Sequence, residues 1–406
     1  MRPATISRRV TIPFVLLAGG LIPAFASCAE AEDTRPPQDD ASVSIPEAGS
    51  ADAEQDASVD GGCDASQSDC ISEVISCEQA SWCPVPTNVS SRFLLKAVWG
   101  SGPNDVWAVG SGGSITHWNG TAWTVTPAGT KYTLYAIWGS GPNDVWAASM
   151  TNAIFHSTGF ANASTEWTQV PGATEADTAM PVNAIWGTAA GDVRIGARAN
   201  MMYLPDDDDF DWAGQFVLTK DADGNIAWKP EASGSVHGFW GSATDLWLIA
   251  DDSGRNNNGW NKGQTLHGVT FKGQLAWTPV DSQSTLLLEG IWGSSADDIW
   301  AVGEQGTLRR MKKGMTRWEI VPSPTKEGLH AVWGSAADDV WAVGDKGTIL
   351  HFDGTSWKPS VAAFPLGKKP DLFGVWGSSK NDVWIVGDGV ALHYTGPKPG
   401  AQGGGQ

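Results

Sequence analysis

The chain has 406 residues, with 45 Asp plus Glu against 26 Lys plus Arg and a formal net charge of −19. So acidic a balance excludes nucleic acid and anionic lipid as principal partners, because polyanions are repelled rather than held. Length alone would allow two domains, so the division has to come from pattern.

Residues 1 to 28 read as an export signal. Arg2, Arg8 and Arg9 give a basic start, and the stretch from Val10 to Phe25 is largely apolar. Phe25-Ala26-Ser27-Cys28 resembles a bacterial lipobox, with Cys28 the lipidated residue. Phe25 departs from the usual Leu, and Ala24-Phe25-Ala26 also fits an ordinary cleavage site, so lipidated and freely secreted forms both stand. Gly19, Gly20 and Pro23 interrupt the apolar run and argue against a membrane span.

Residues 29 to 62 hold Ala, Asp, Glu, Ser and Pro with almost no large apolar side chain. Such a segment cannot bury enough surface to offset its ordering entropy, and it is expected to act as a disordered acidic tether. From Ala29 to Cys70 there are twelve acidic residues and one Arg, a net of −11. A Cys-containing extension follows, residues 63 to 77. Cys63, Cys70, Cys77 and Cys83 fit two disulfides in an exported chain, with connectivity open. A zinc site is the weaker alternative, because C-x-x-C pairs are lacking.

From here a single phrase recurs, clearest as LHAVWGSAADDVWAVGDKGTILHFDGTSW, residues 329 to 357. Trp-Gly pairs mark seven copies, at Trp99, Trp138, Trp186, Trp240, Trp292, Trp333 and Trp376, about 40 to 54 residues apart. Each copy holds three short apolar runs separated by turns and a fourth opened by Trp, with no helical period. Asp353-Gly354 is a strong hairpin signal. Runs without alternation suit strands covered on both faces, so each copy is one four-stranded blade. The expected fold is all-β, a seven-bladed β-propeller of antiparallel blades over residues 78 to 396.

The last copy lacks its fourth strand and ends in a Gly/Pro tail, residues 397 to 406, expected to be disordered. Ser81-Trp82-Cys83-Pro84 matches Ser356-Trp357-Lys358-Pro359. The N-terminal segment around Trp82 should therefore complete the last blade and close the ring, which removes open sheet edges. A disulfide to Cys83 would staple that seam.

Every copy has an Asp before its second strand: Asp105, Asp144, Asp192, Asp245, Asp298, Asp339 and Asp382. Recurrence in all copies signals a structural role, expected to be acceptance of backbone N–H groups in the preceding turn. His117, His156, His267, His351 and His393 share one register in the third strand, which points to packing rather than catalysis.

Copies three and four carry insertions between strands two and three, each with a Trp outside the repeat register, Trp212 and Trp260. Strand alternation puts these loops on the face where strand one begins. Asp209 and Asp211 flank the first Trp, and Asn258 and Asn261 the second. Exposed aromatic faces among short polar side chains suit sugar recognition, while loop anchoring is the structural alternative. The same face carries a variable position at the start of strand one: Lys96, Tyr135, Asn183, His237, Glu289, His330 and Phe373. Calcium has two weak candidates, Asp221-Ala222-Asp223-Gly224-Asn225 and the 206–211 carboxylates; the first reads equally as a hairpin turn. Otherwise no cofactor is implied.

The WGSGPNDVWAVG and GTILHFDGTSW phrases resemble the tryptophan-rich β-propeller repeats of secreted bacterial proteins, often lipoproteins, and loosely the tectonin and BNR repeats. The resemblance spans residues 78 to 396 and implies fold more than function. Asp353 to Trp357 lacks the full Asp-box pattern, and Arg309, Arg310 and Arg317 crowd into one copy, unlike a sialidase triad. The expectation is a monomeric cell-envelope or secreted binding module. It would recognise a glycan on the Trp212/Trp260 face or, alternatively, scaffold an envelope protein; a glycoside hydrolase or lyase is the least favoured reading.

Overall fold

A computed structural model describes residues 70–71, 73–161, 163–173, 180–204, 209–220, 222–233, 235–251, 263–271 and 274–397. All belong to one compact unit, Asp60–Gln406. Seven four-stranded antiparallel sheets form the seven blades of a β-propeller. Six run outward in sequence order, for example Leu329–Ala336, Asp339–Gly344, Ile349–Phe352 and Trp357–Pro359 in blade 6. In blade 7 the outermost strand is Trp82–Pro84, paired on Ala391–Tyr394 with Trp82 opposite Tyr394. The ring thus closes with its N-terminal strand. Cys83 in that strand is bonded to Cys77, and Cys70 is also disulfide-bonded. Cys28 and Cys63 lie outside the described residues.

The repeat residues hold blades to each other as well as strands within blades. Each of six outer Trp rings packs edge-on against the strand-two Trp of the preceding blade. Trp357 meets Trp300 at 5.1 Å and 90°, and Trp82 meets Trp341 at 4.9 Å and 89°. The junction of blades 3 and 4 lacks this pair because Arg194 replaces the strand-two Trp. The Trp-Gly pair has a matching cause. In six of the seven blades the inner Trp of the preceding blade lies over this Gly, where a Cβ on Gly334 would come within 2.7 Å of the Trp292 ring. Apolar clusters correspondingly span neighbouring blades, as with Trp300 and Val302 against Leu329 and Val340. Every blade therefore needs both neighbours to bury its faces.

The turn Asp residues do something other than expected. Their carboxylates collect side-chain donors instead of turn N–H groups. In blade 1, Asp105 Oδ1 accepts from Trp107 Nε1 at 3.0 Å and His117 Nε2 at 2.7 Å, while Oδ2 accepts from Ser101. Blade 2 repeats the set on Asp144 with Trp146, His156 and Ser140. Asp245, Asp339 and Asp382 hold His267, His351 and His393. The five histidines are accounted for as cross-strand struts. Arg310 replaces His in blade 5 and grips Asp298 through two bonds, 2.6 and 3.0 Å, stacking on Trp300. In blade 3, Arg194 lies between Asp192 and Glu231. Burial pushes the Asp105, Asp144, Asp339 and Asp382 carboxyls up. Hydrogen bonds from His and Ser outweigh it and hold all four below the ordinary value.

Candidate functional site at the channel mouth

One irregularity repeats in every blade. The pairing of strands one and two slips between Leu95 and Ala97, Leu134 and Ala136, and Val182 and Ala184. It slips likewise between Val236 and Gly238, Leu288 and Gly290, Leu329 and Ala331, and Leu372 and Gly374. The skipped residues are Lys96, Tyr135, Asn183, His237, Glu289, His330 and Phe373, the variable position of strand one. A β-bulge takes its extra residue out of the ladder and re-aims the side chain. The following residue is Ala or Gly because innermost strands crowd together; a Cβ on Gly290 would come within 3.0 Å of the Ala331 backbone.

Six of the seven bulge residues line one cavity of ≈ 240 Å³ at the channel mouth: Lys96, Tyr135, Asn183, Glu289, His330 and Phe373. Its floor is apolar, built by residues such as Val98, Ile137, Ile185 and Phe239. His237 does not line it. That ring bonds Asp251 at 2.7 Å, and blade 4 contributes Gly238 and Phe239 instead.

The mouth is electrostatically divided. On the side of blades 5 and 6, His330 Nδ1 contacts Glu289 Oε2 at 2.7 Å and its Nε2 contacts Asp345 Oδ1 at 2.7 Å. Burial works against the charged imidazole, but the bonds and charges of Glu289 and Asp345 prevail and raise its pKa. Both ring nitrogens then donate. Asp345 sits in the turn between strands two and three, so that turn does lie on the face where strand one begins. Asp251 occupies the corresponding place in blade 4 and takes His237 the same way.

On the side of blades 1 to 3 the polar groups are an ammonium, which only donates, and a phenol and an amide, which donate or accept. Lys96 Nζ lies 3.7 Å from the centre of the Phe373 ring and 5.8 Å from that of Tyr135. Burial lowers its pKa, while the charges of Glu289, Asp345 and Asp371 oppose the shift.

The insertion of blade 3 is a long hairpin, Asp192–Leu204 and Asp209–Lys220, paired to Leu204 opposite Asp209. Asp211 faces Met202 and Trp212 faces Met201 in its ladder. Asn258, Trp260 and Asn261 lie outside the described residues, as does Asp221. Among the described residues no group of three or more His, Cys, Asp or Glu is placed to hold a metal ion.

Sequence pattern marked the variable position but not why it matters. Asn183 and Phe373 belong to the cavity as fully as Lys96, Tyr135, Glu289 and His330 do. Asp345 and Asp251 were missed. Their signal is an acidic residue six places after the turn Asp in blades 4 to 7: Asp251, Glu304, Asp345 and Asp388.

No protein family and no curated protein matches the chain. Solved structures resemble it in fold. YCF48 bound to D1 peptide is 16% identical, with a TM-score of 0.57 over 80% of this chain and 100% of that one. Virginiamycin B lyase from Staphylococcus aureus is 14% identical, with a TM-score of 0.55 over 77% and 97%. The WD40 propeller domain of Doa1 is 12% identical, with a TM-score of 0.52 over 75% and 95%. At these identities the likeness establishes the propeller and nothing finer.

Proposed function

We propose that the protein is a binding module that holds a segment of a partner polypeptide in the mouth of its channel. One observation carries this reading. The same bulge in all seven blades turns one side chain out of the ladder, and those are the residues that differ from blade to blade. A repeated frame whose variable bulge residues converge on a cavity in six of seven blades suits recognition. The mixture of ammonium, amide, phenol, carboxylate and aromatic faces suits a peptide. One structural neighbour, YCF48, is described as bound to a peptide. The N-terminal segment that reads as an export signal and acidic tether supports a position in the cell envelope, lipid-anchored through Cys28, or else free secretion.

Glycan recognition is the second reading. It is favoured by the blade 3 hairpin, which extends on the same face and carries Trp212 in its outer part. Catalysis has no comparable support, because the Asp–His pairs of strand three recur as struts in five blades. The test is equilibrium binding of a displayed random-peptide library and a glycan array to the full chain and to a Tyr135→Ala/Phe373→Ala variant of unchanged melting temperature. Peptide binding lost in the variant supports the channel reading. Glycan binding lost on Trp212→Ala, without peptide binding, replaces it.

A further inference from the structure

We infer that Lys96 is the anchor for a carboxylate of the bound peptide; the inference rests on the channel-mouth reading. Several other cations of the ring are engaged, and others, such as Arg92, Lys131 and Lys326, are exposed. Arg194 bonds Asp192 and Glu231, Arg310 bonds Asp298, and Lys313, Lys346 and Lys358 reach Asp297, Glu327 and Asp353. Half-buried Lys96 differs. Among the described residues its ammonium has no hydrogen bond and no carboxylate within 4.0 Å, only the faces of Phe373 and Tyr135. Burial lowers its pKa, and the charges of Glu289, Asp345 and Asp371 offset that only in part. A partly desolvated ammonium that faces rings and has no hydrogen bond gains most when an acceptor arrives.

Its neighbours point the same way. The Asn183 amide and the Tyr135 hydroxyl reach the same cavity from the next two blades and have no hydrogen-bond partner among the described residues. Opposite, Glu289 and Asp345 each give one carboxylate oxygen to His330, and Asp251 gives one to His237. The Lys96 ammonium can only donate, so the ligand group it takes must be an acceptor, while Tyr135 and Asn183 can donate or accept. A cavity of ≈ 240 Å³ with an apolar floor takes a side chain or a chain end rather than a strand passing through. Two sources share this chemistry, the terminal carboxylate of a peptide and an Asp or Glu side chain.

The experiment uses the full chain and random octapeptides in four sets: free or amidated at the C-terminus, each with Asp and Glu allowed or replaced by Asn and Gln. Wild type, Lys96→Met and Lys96→Arg are compared after matching melting temperatures. Carboxylate-bearing sets should bind, with affinity falling about tenfold or more in Lys96→Met, the scale of one charge-assisted bond, and recovering in part in Lys96→Arg. Loss on amidation alone assigns the chain terminus; loss on Asn/Gln replacement alone assigns a side chain. As a second measurement, N-acetylglycine should shift the Lys96 side-chain resonance of the wild-type protein and N-acetylglycinamide should not. Equal binding of the amidated, acid-free set, or undiminished affinity in a folded Lys96→Met, overturns the inference. If that set also loses binding in Tyr135→Ala/Phe373→Ala, the channel reading survives alone. If no set binds, both fall.

Discussion

Trp82→Ala tests the closure of the ring at its one non-sequential seam. The Trp82 side chain is fully buried. Its ring meets Trp341 of blade 6 at 4.9 Å and Tyr394 of blade 7 at 5.2 Å, and its Nε1 donates to Ser360 at 3.3 Å. Its carbonyl accepts from Ala363 N at 2.9 Å. Truncating a buried Trp costs about 3–5 kcal/mol. Unfolding entropy near 2.1 cal/mol/K per residue gives about 0.6 kcal/mol/K for a ring of about 300 residues. A loss of about 4 kcal/mol then lowers the melting temperature by about 6–7 °C, read by calorimetry in a single transition. Ile320→Ala is the control, because Ile320 is 57% exposed on an outer strand and its loss should move the midpoint by less than about 1 °C. A Trp82→Ala midpoint within 1 °C of wild type would refute closure by the N-terminal strand.

Acid should unfold the ring through its struts. Asp105, Asp144, Asp339 and Asp382 have folded pKa values below their unfolded ones, so their stabilisation is complete above about pH 4 and is lost as pH falls through the folded values. Calorimetry should show a flat midpoint from about pH 6 to 5 and a steep fall below about 4, shallower in Asp339→Asn. His330 has the opposite sign. Its raised pKa contributes stability that is full below about pH 6.5 and lost as pH rises through the folded value. NMR should place its midpoint above 6.5, and His330→Gln should remove that part of the pH dependence. Gly334→Ala drives a Cβ into the Trp292 ring and should cost about 1–3 kcal/mol by denaturant unfolding, while Gly102→Ala, with nothing within 4 Å, should be near neutral.

The architecture was legible because most repeat residues have the same job in five or more of the seven blades. Trp-Gly marked the blades, since the Gly makes room for the previous blade's Trp, and the Trp82 match to Trp357 gave the closing strand. The role of the turn Asp was misread, because sequence shows that Asp105, Trp107 and His117 recur together but not that the three meet at one carboxylate. The site was half legible. Variation at the Lys96 position is visible in the letters. A bulge is a feature of pairing between strands, so the reason these side chains converge appears only in the register. Contacts such as His330 with Asp345 join residues of separate elements and leave only a faint spacing signal.

The most direct measurement of the channel claim is site-specific photo-crosslinking. A photoreactive phenylalanine placed at position 135, in the mouth, is compared with one at 320, on the outer edge, after incubation of the full chain with the displayed peptide library. Recognition by the bulge ring predicts peptide adducts at 135, suppressed by excess unlabelled peptide, and only background at 320. Equal labelling at both positions, or adducts at 320 alone, would contradict it and move the binding surface to the rim.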